Sequence, residues 1–168
     1  MRKRLAIIVS LCIFAGATTL CGCGKNENDA DIYSYQTTDA VYNVAFEDEG
    51  ISGKLEKRGS SCTLSISSPE SIAGVAVTYD GSVCRLCADS VEIPLSAGAA
   101  SGIMPLFSLL GVRGGGTPAK SSDGQSTVIA FDDGTVTVQK SGGGFSVAEI
   151  EMETELGRRR VIFEPYGE

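Results

Sequence analysis

The chain has 168 residues, and its 14 basic residues, 21 acidic residues and absent histidine give a formal charge of -7 at neutral pH. With no His and no Trp it lacks the commonest catalytic base and the commonest zinc ligand. An acid excess of this size disfavours nucleic acid and anionic lipid headgroups as partners, because both would be repelled.

Met1-Arg2-Lys3-Arg4 is a cationic start, and Leu5 to Ala17 is an almost unbroken apolar run. Such a run is too short for a permanent transmembrane helix, which needs about 20 residues, and reads as an export signal. It ends in Leu20-Cys21-Gly22-Cys23, which resembles the bacterial lipobox. That resemblance implies a diacylglyceryl group on Cys23 and cleavage before it; Leu20 is too bulky to serve the same role before Cys21. Residues 1–22 are therefore expected to be a lipoprotein signal peptide, 23–40 a lipidated tether, and 41–168 a single domain. Cleavage would remove three basic residues and no acids, leaving 11 basic against 21 acidic residues. The mature protein is expected on the extracytoplasmic face of the cell membrane, anchored by its lipid rather than by a spanning helix.

Gly24 to Asp31 has no apolar period and suits a flexible spacer. From Tyr42 the period becomes two: Tyr42, Val44 and Phe46 alternate with polar or small residues, and Ile51 and Leu55 continue after Asp48-Glu49-Gly50. Cys62, Leu64 and Ile66 alternate with Ser and Thr until Pro69 stops the strand. Asp80-Gly81 predicts a two-residue hairpin that pairs Val77 with Cys84 and Val75 with Leu86. Asp133-Gly134 predicts a second, pairing Phe131 with Val136 and Ile129 with Val138. A third turn at Leu156-Gly157 would pair Met152 with Val161 and Ile150 with Phe163, with Glu153 meeting Arg160 and Glu155 across from Arg158.

One stretch, Ser96 to Val112, is apolar without alternation. Ile103, Leu106, Phe107 and Leu110 recur at helical spacing, with Pro105 in the first turn and Gly111 near the end, so a short helix is predicted. Gly114 through Gln125 is expected to be a long loop. It is not a phosphate loop, because no Lys-Ser/Thr follows at the required spacing.

Cys84-Arg85-Leu86-Cys87 has the spacing of redox and zinc motifs, but on a strand those two thiols point to opposite faces, so no metal site and no cofactor is expected. Cys62, Cys84 and Cys87 are an odd set beside Cys23; a Cys62–Cys84 crosslink stays open, since both lie on apolar faces. The Arg158-Arg159-Arg160 run fits a charge ladder against Glu149, Glu151, Glu153 and Glu155 better than a phosphate-binding patch.

Ser65 to Gly81, with its Ser-Pro-Glu and Tyr-Asp-Gly, followed by Val91-Glu92-Ile93-Pro94-Leu95, resembles small lipoproteins of Gram-positive bacteria. The layout over roughly Tyr42 to Phe163 is similar to the lipoprotein-carrier superfamily typified by LolA and LolB. That resemblance implies an α+β fold, mainly antiparallel β, in which a curved half-barrel carries a short apolar helix on its concave face. It also implies a non-enzymatic protein holding an apolar small molecule or lipid between sheet and helix, lined by Tyr42, Phe46, Leu64, Val77, Tyr79, Ile103, Phe107, Leu110 and Phe131. The other expectation is a structural or protein-interaction module of the cell envelope, with a filled core and no small ligand.

Overall fold

The computed structural model describes residues 32–120, 125–141 and 144–167. The expected signal peptide, Cys23 and the first half of the expected tether, through residue 31, lie outside the described residues. A single antiparallel sheet of eleven strands dominates: β1 (Ala40–Phe46), β2 (Ile51–Arg58), β3 (Ser61–Ser68), β4 (Val75–Tyr79), β5 (Cys84–Ala88), β6 (Val91–Pro94), β7 (Thr117–Lys120), β8 (Ser126–Phe131), β9 (Gly134–Ser141), β10 (Gly144–Thr154) and β11 (Gly157–Pro165). Their spatial order is β6-β5-β4-β3-β2-β1-β11-β10-β9-β8-β7, so the sheet is open, with β6 and β7 at its edges. Two meanders meet where the chain's last strand pairs with its first, β11 on β1.

Two short helices, α1 (Ala97–Ala100) and α2 (Met104–Leu110), connect β6 to β7 across one face, called here the inner face. Pro105 sits in the first turn of α2, and Gly111 caps its end by donating to the carbonyls of Phe107 and Ser108. The helix thus follows its sequence pattern closely. Among the described residues, no helix is long and apolar enough to cross a membrane.

All three hairpins close two residues away from the predicted register. At the first, Tyr79 pairs with Cys84 and Val77 with Leu86, so Gly81 and Ser82 form the turn. Asp80 dictates this: its carboxylate accepts the N–H groups of Ser82 and Val83 at 2.9 and 2.8 Å, and Gly81 takes φ 94° at the first central position. At the second, Phe131 pairs with Gly134 and Ile129 with Val136, leaving Asp132-Asp133 as the turn. Gly134 is used for close approach instead, because a Cβ there would strike the Glu151 carbonyl on β10. At the third, Met152 pairs with Arg159 and Ile150 with Val161. The Thr154 hydroxyl donates to the Gly157 carbonyl at 2.8 Å and accepts from Leu156 N–H, drawing the turn back onto Glu155-Leu156. Since side chains alternate with period two, a slip of two residues changes every partner and leaves every face intact.

The loop expected from Gly114 to Gln125 contains β7, which pairs with β8 through Thr117↔Ala130 to Lys120↔Thr127. Pro118 hid it; proline lacks a ladder donor, which an edge strand tolerates. The packed body also begins earlier than residue 41. Ile32, Tyr35 and Gln36 are buried, and Ser34–Gln36 form a 3₁₀ turn laid against the sheet. We term residues 32–39 the strap.

Candidate functional site

The inner face is built from rows of side chains in register. One row runs Ile51, Phe46, Val161, Ile150, Val136 and Ile129 across β2, β1, β11, β10, β9 and β8. Another runs Ile93, Leu86, Val77, Leu64, Leu55 and Tyr42 across β6, β5, β4, β3, β2 and β1. Helix α2 packs on β9 and β10, burying Leu106, Phe107, Leu109 and Leu110. The four residues contribute about 1.5–3 kcal/mol each relative to exposure.

All nine expected lining residues belong to this one assembly. Tyr42, Phe46, Leu64, Val77, Phe107 and Leu110 are buried core residues, and Tyr79, Ile103 and Phe131 pack on them while partly exposed. Phe107 stacks on Tyr79 with ring centroids 5.9 Å apart and planes within 3°. Tyr42 meets Phe163 edge-on at 5.3 Å, and its hydroxyl accepts the Val147 N–H at 3.4 Å, beside the register shift in β10. Phe131 lies 4.8 Å beneath the Arg113 guanidinium, which Asp133 grips at 2.7 and 2.9 Å.

The strap closes one end of this face. Tyr33 donates to the Gly116 carbonyl at 2.8 Å, Tyr35 to the Leu109 carbonyl at 3.4 Å, and Ser34 Oγ accepts from Phe145 N–H at 3.2 Å. Gln36 Oε1 accepts from Arg113 N–H. Beneath it lies Lys57, only 1% exposed, whose ammonium donates to the carbonyls of Gln36 at 2.8 Å and Thr38 at 3.1 Å. Burial pushes the Lys57 ammonium below its ordinary pKa. Its register partner Cys62 is also buried, which pushes that thiol up to about 11. Sequence reasoning missed Lys57 and the strap. The one signal for Lys57 was its position in phase with Leu55 on an otherwise apolar face.

Cys62 and Cys84 both pair with Tyr79, from opposite sides. Two strand spacings, about 10 Å, therefore separate them, beyond the roughly 7 Å limit for a disulfide. Cys62, Cys84 and Cys87 are all free thiols, so the crosslink left open above is not made.

The expected charge ladder is present on the outer face, moved by the same two-residue slip. Arg158 pairs with Glu151 at 2.6 Å, and Arg160 with Glu149 at 2.6 Å and Glu47 at 2.9 Å; Arg159, in register with inward Met152, takes the other face and pairs with Glu49 of the β1–β2 turn. The solvent-facing Arg158–Glu151 and Arg160–Glu47 pairs hold register more than they stabilise, at about 0–1 kcal/mol each.

Sequence reasoning also missed an apolar strip where the row reaches β6. Ile66, Val75 and Leu86 are half-buried, and Val91 and Ile93 are 56% and 51% exposed. Val91 pairs with Ala88 and Ile93 with Leu86, so the exposed pair continues the inner face to the sheet's edge. The alternation of Val91-Glu92-Ile93 was the available signal.

No protein-family model matches the chain, and no curated protein sequence matches it.

Proposed function

We propose that this protein is a lipid-anchored extracytoplasmic binding protein, not an enzyme, whose sheet forms a half-barrel that takes an apolar ligand beside α2. The curvature is supported by the reach of one helix. Helix α2 packs on β9 and β10, yet its Phe107 stacks on Tyr79 of β4. Five strand spacings separate β4 from β10, roughly 24 Å on a flat sheet, while a helix is only about 10–12 Å across.

The observation that carries the reading is the strip of Ile66, Val75, Leu86, Val91 and Ile93. It is a run of inward-facing apolar side chains left partly uncovered next to a sealed core. Water contact at these residues is unfavourable by about 25 cal/mol per Å², and an acyl chain or similar ligand laid along them would remove it. The lipid expected on Cys23 would keep the site at the membrane surface, where such ligands are abundant.

Native mass spectrometry of residues 24–168, purified without detergent, tests the ligand; every buried residue among the described residues lies within this span. A reproducible added mass that solvent extraction releases as lipid supports the carrier reading. Bare protein that takes up no apolar fluorophore rejects it. A second reading, an envelope interaction module, is favoured by the same strip lying on an edge strand, where a partner's strand could pair with β6. The anchor is tested separately: Cys23→Ala should release the protein from membranes.

A further inference from the structure

A second concavity lies on the outer face, over β11, β1, β2 and β3. It is an open groove of about 360 Å³ lined by Asn43, Ala45, Ser52, Ser67, Ile162 and Glu164, within the roughly 300–1,000 Å³ range of small-ligand sites. Small residues create it. Ala45 and Ser52 face each other in register, while the rows on either side carry Lys54 opposite Asn43 and Glu47 beside Arg160. A β-bulge deepens it: Ser52 pairs with Ser68 and Gly53 with Ile66, leaving Ser67 as the extra residue, and Ser67 Oγ donates to the Ser52 carbonyl at 3.2 Å. A Cβ on Gly53 would strike the Ser65 carbonyl, so the bulge demands glycine there.

The charges around the groove are committed to one another, Lys54 to Glu56 at 2.8 Å and Arg160 to Glu47 and Glu149. Glu164 and Asn43, paired in register, hold no side-chain partner among the described residues. They leave a planar carboxylate and a planar amide at the rim, with the Ser52 and Ser67 hydroxyls opposite. Tyr166 stands beside them, 56% exposed, its ring 4.6 Å from the Lys54 ammonium and so on the groove's side of the sheet.

We propose that this groove is a saccharide site for an uncharged sugar unit. The ligand's hydroxyls would bond Asn43, Glu164 and the two serines, its apolar ring face would rest on Tyr166, and Ala45 and Ile162 would floor it. A polar lining suits no acyl chain, and an unpaired carboxylate on an acidic protein repels anions. The site is on the face opposite the proposed apolar ligand, so either can fail without the other.

The chain contains no tryptophan. Tyr166→Trp in the full chain therefore places a single reporter at the groove. Titration with N-acetylglucosamine trisaccharide and with maltotriose should give a saturable change in its emission for at least one of them. Glu164→Gln in that background should weaken the response about tenfold or more. Ala45→Phe, which fills the groove from an exposed strand position that tolerates aromatics, should abolish it with the melting temperature kept. No saturable response to either sugar in the millimolar range overturns the proposal. So does binding that survives both Ala45→Phe and Glu164→Gln, which would put the sugar elsewhere.

Discussion

Across β11, β10, β9 and β8 the inward side chains Val161, Ile150, Val136 and Ile129 are fully buried, whereas across β3, β4, β5 and β6 the row Leu64, Val77, Leu86 and Ile93 opens steadily to 51% exposure. Both stretches carry the same apolar alternation. What differs is the layer above them: α2 and the strap lie on the first and thin out over the second. A half-covered β-face of this kind is either a binding surface or a liability, and an open sheet edge beside it sharpens the choice. One sheet thus combines a half whose inner face is sealed with a half whose inner face is left partly open toward the β6 edge.

The largest expected effect tests the sealed half. Leu109→Ala removes a fully buried side chain packed between α2 and Gly134 of β9 and should cost about 2–5 kcal/mol, read from urea unfolding at unchanged m-value. A loss below 1 kcal/mol would mean that α2 is not seated as described. The next effect concerns the strap. Lys57→Ala leaves the Gln36 and Thr38 carbonyls without their donor and should cost about 1–3 kcal/mol. It should also raise hydrogen exchange in residues 32–39 ahead of α2; uniform loss of protection would show that the strap is not a separate element.

The third prediction uses pH on the same two residues. Cys62, raised in the folded state to about 11, contributes stability that is complete below the unfolded thiol pKa of about 8.5 and lost as pH rises through about 11. Lys57 is lowered instead, so the unfolded state binds more protons and stability rises with pH until the unfolded lysine titrates. The two oppose each other in the native protein. In Lys57→Met only the thiol remains, and the alkaline loss should become steeper; an unchanged slope would remove Lys57 from the titration, and no alkaline loss in either protein would remove Cys62. Buried Cys62 and Cys84 should also alkylate more slowly than half-buried Cys87, as peptide mass spectrometry can rank.

The faces of the sheet were legible in the sequence because alternation reports which side a residue takes, and Tyr42, Phe46, Leu64 and Val77 all fell where period two put them. Helix α2 was legible for the same reason, in a period of 3.6 with Pro105 and Gly111 at its ends. Turn placement was not, because Asp80 and Thr154 act through side-chain hydrogen bonds that select among registers of equal polarity. Gly134 was misleading, since a glycine needed for backbone approach looks the same as one needed for a turn. The nine residues expected to line a ligand site do share one apolar cluster, but how far each is covered depends on the strap and on α2, contacts between distant segments that local pattern does not encode.

The smallest stability effect is expected in the open half, and there it carries the most information. Ile93→Ser changes a residue already half in water on an edge strand, so stability should move by no more than about 0.5 kcal/mol. Ligand uptake should fall sharply, because the substitution places a hydroxyl in the middle of the exposed strip, next to Leu86 in register. An environment-sensitive apolar dye titrated against native protein, Ile93→Ser and Leu109→Ala separates the cases. Weak dye binding by Ile93→Ser with native stability marks β3 to β6 as the binding half. Native dye binding by Ile93→Ser rejects that assignment, and a stability loss as large as that of Leu109→Ala would mean that the strip is core and the two halves are not distinct.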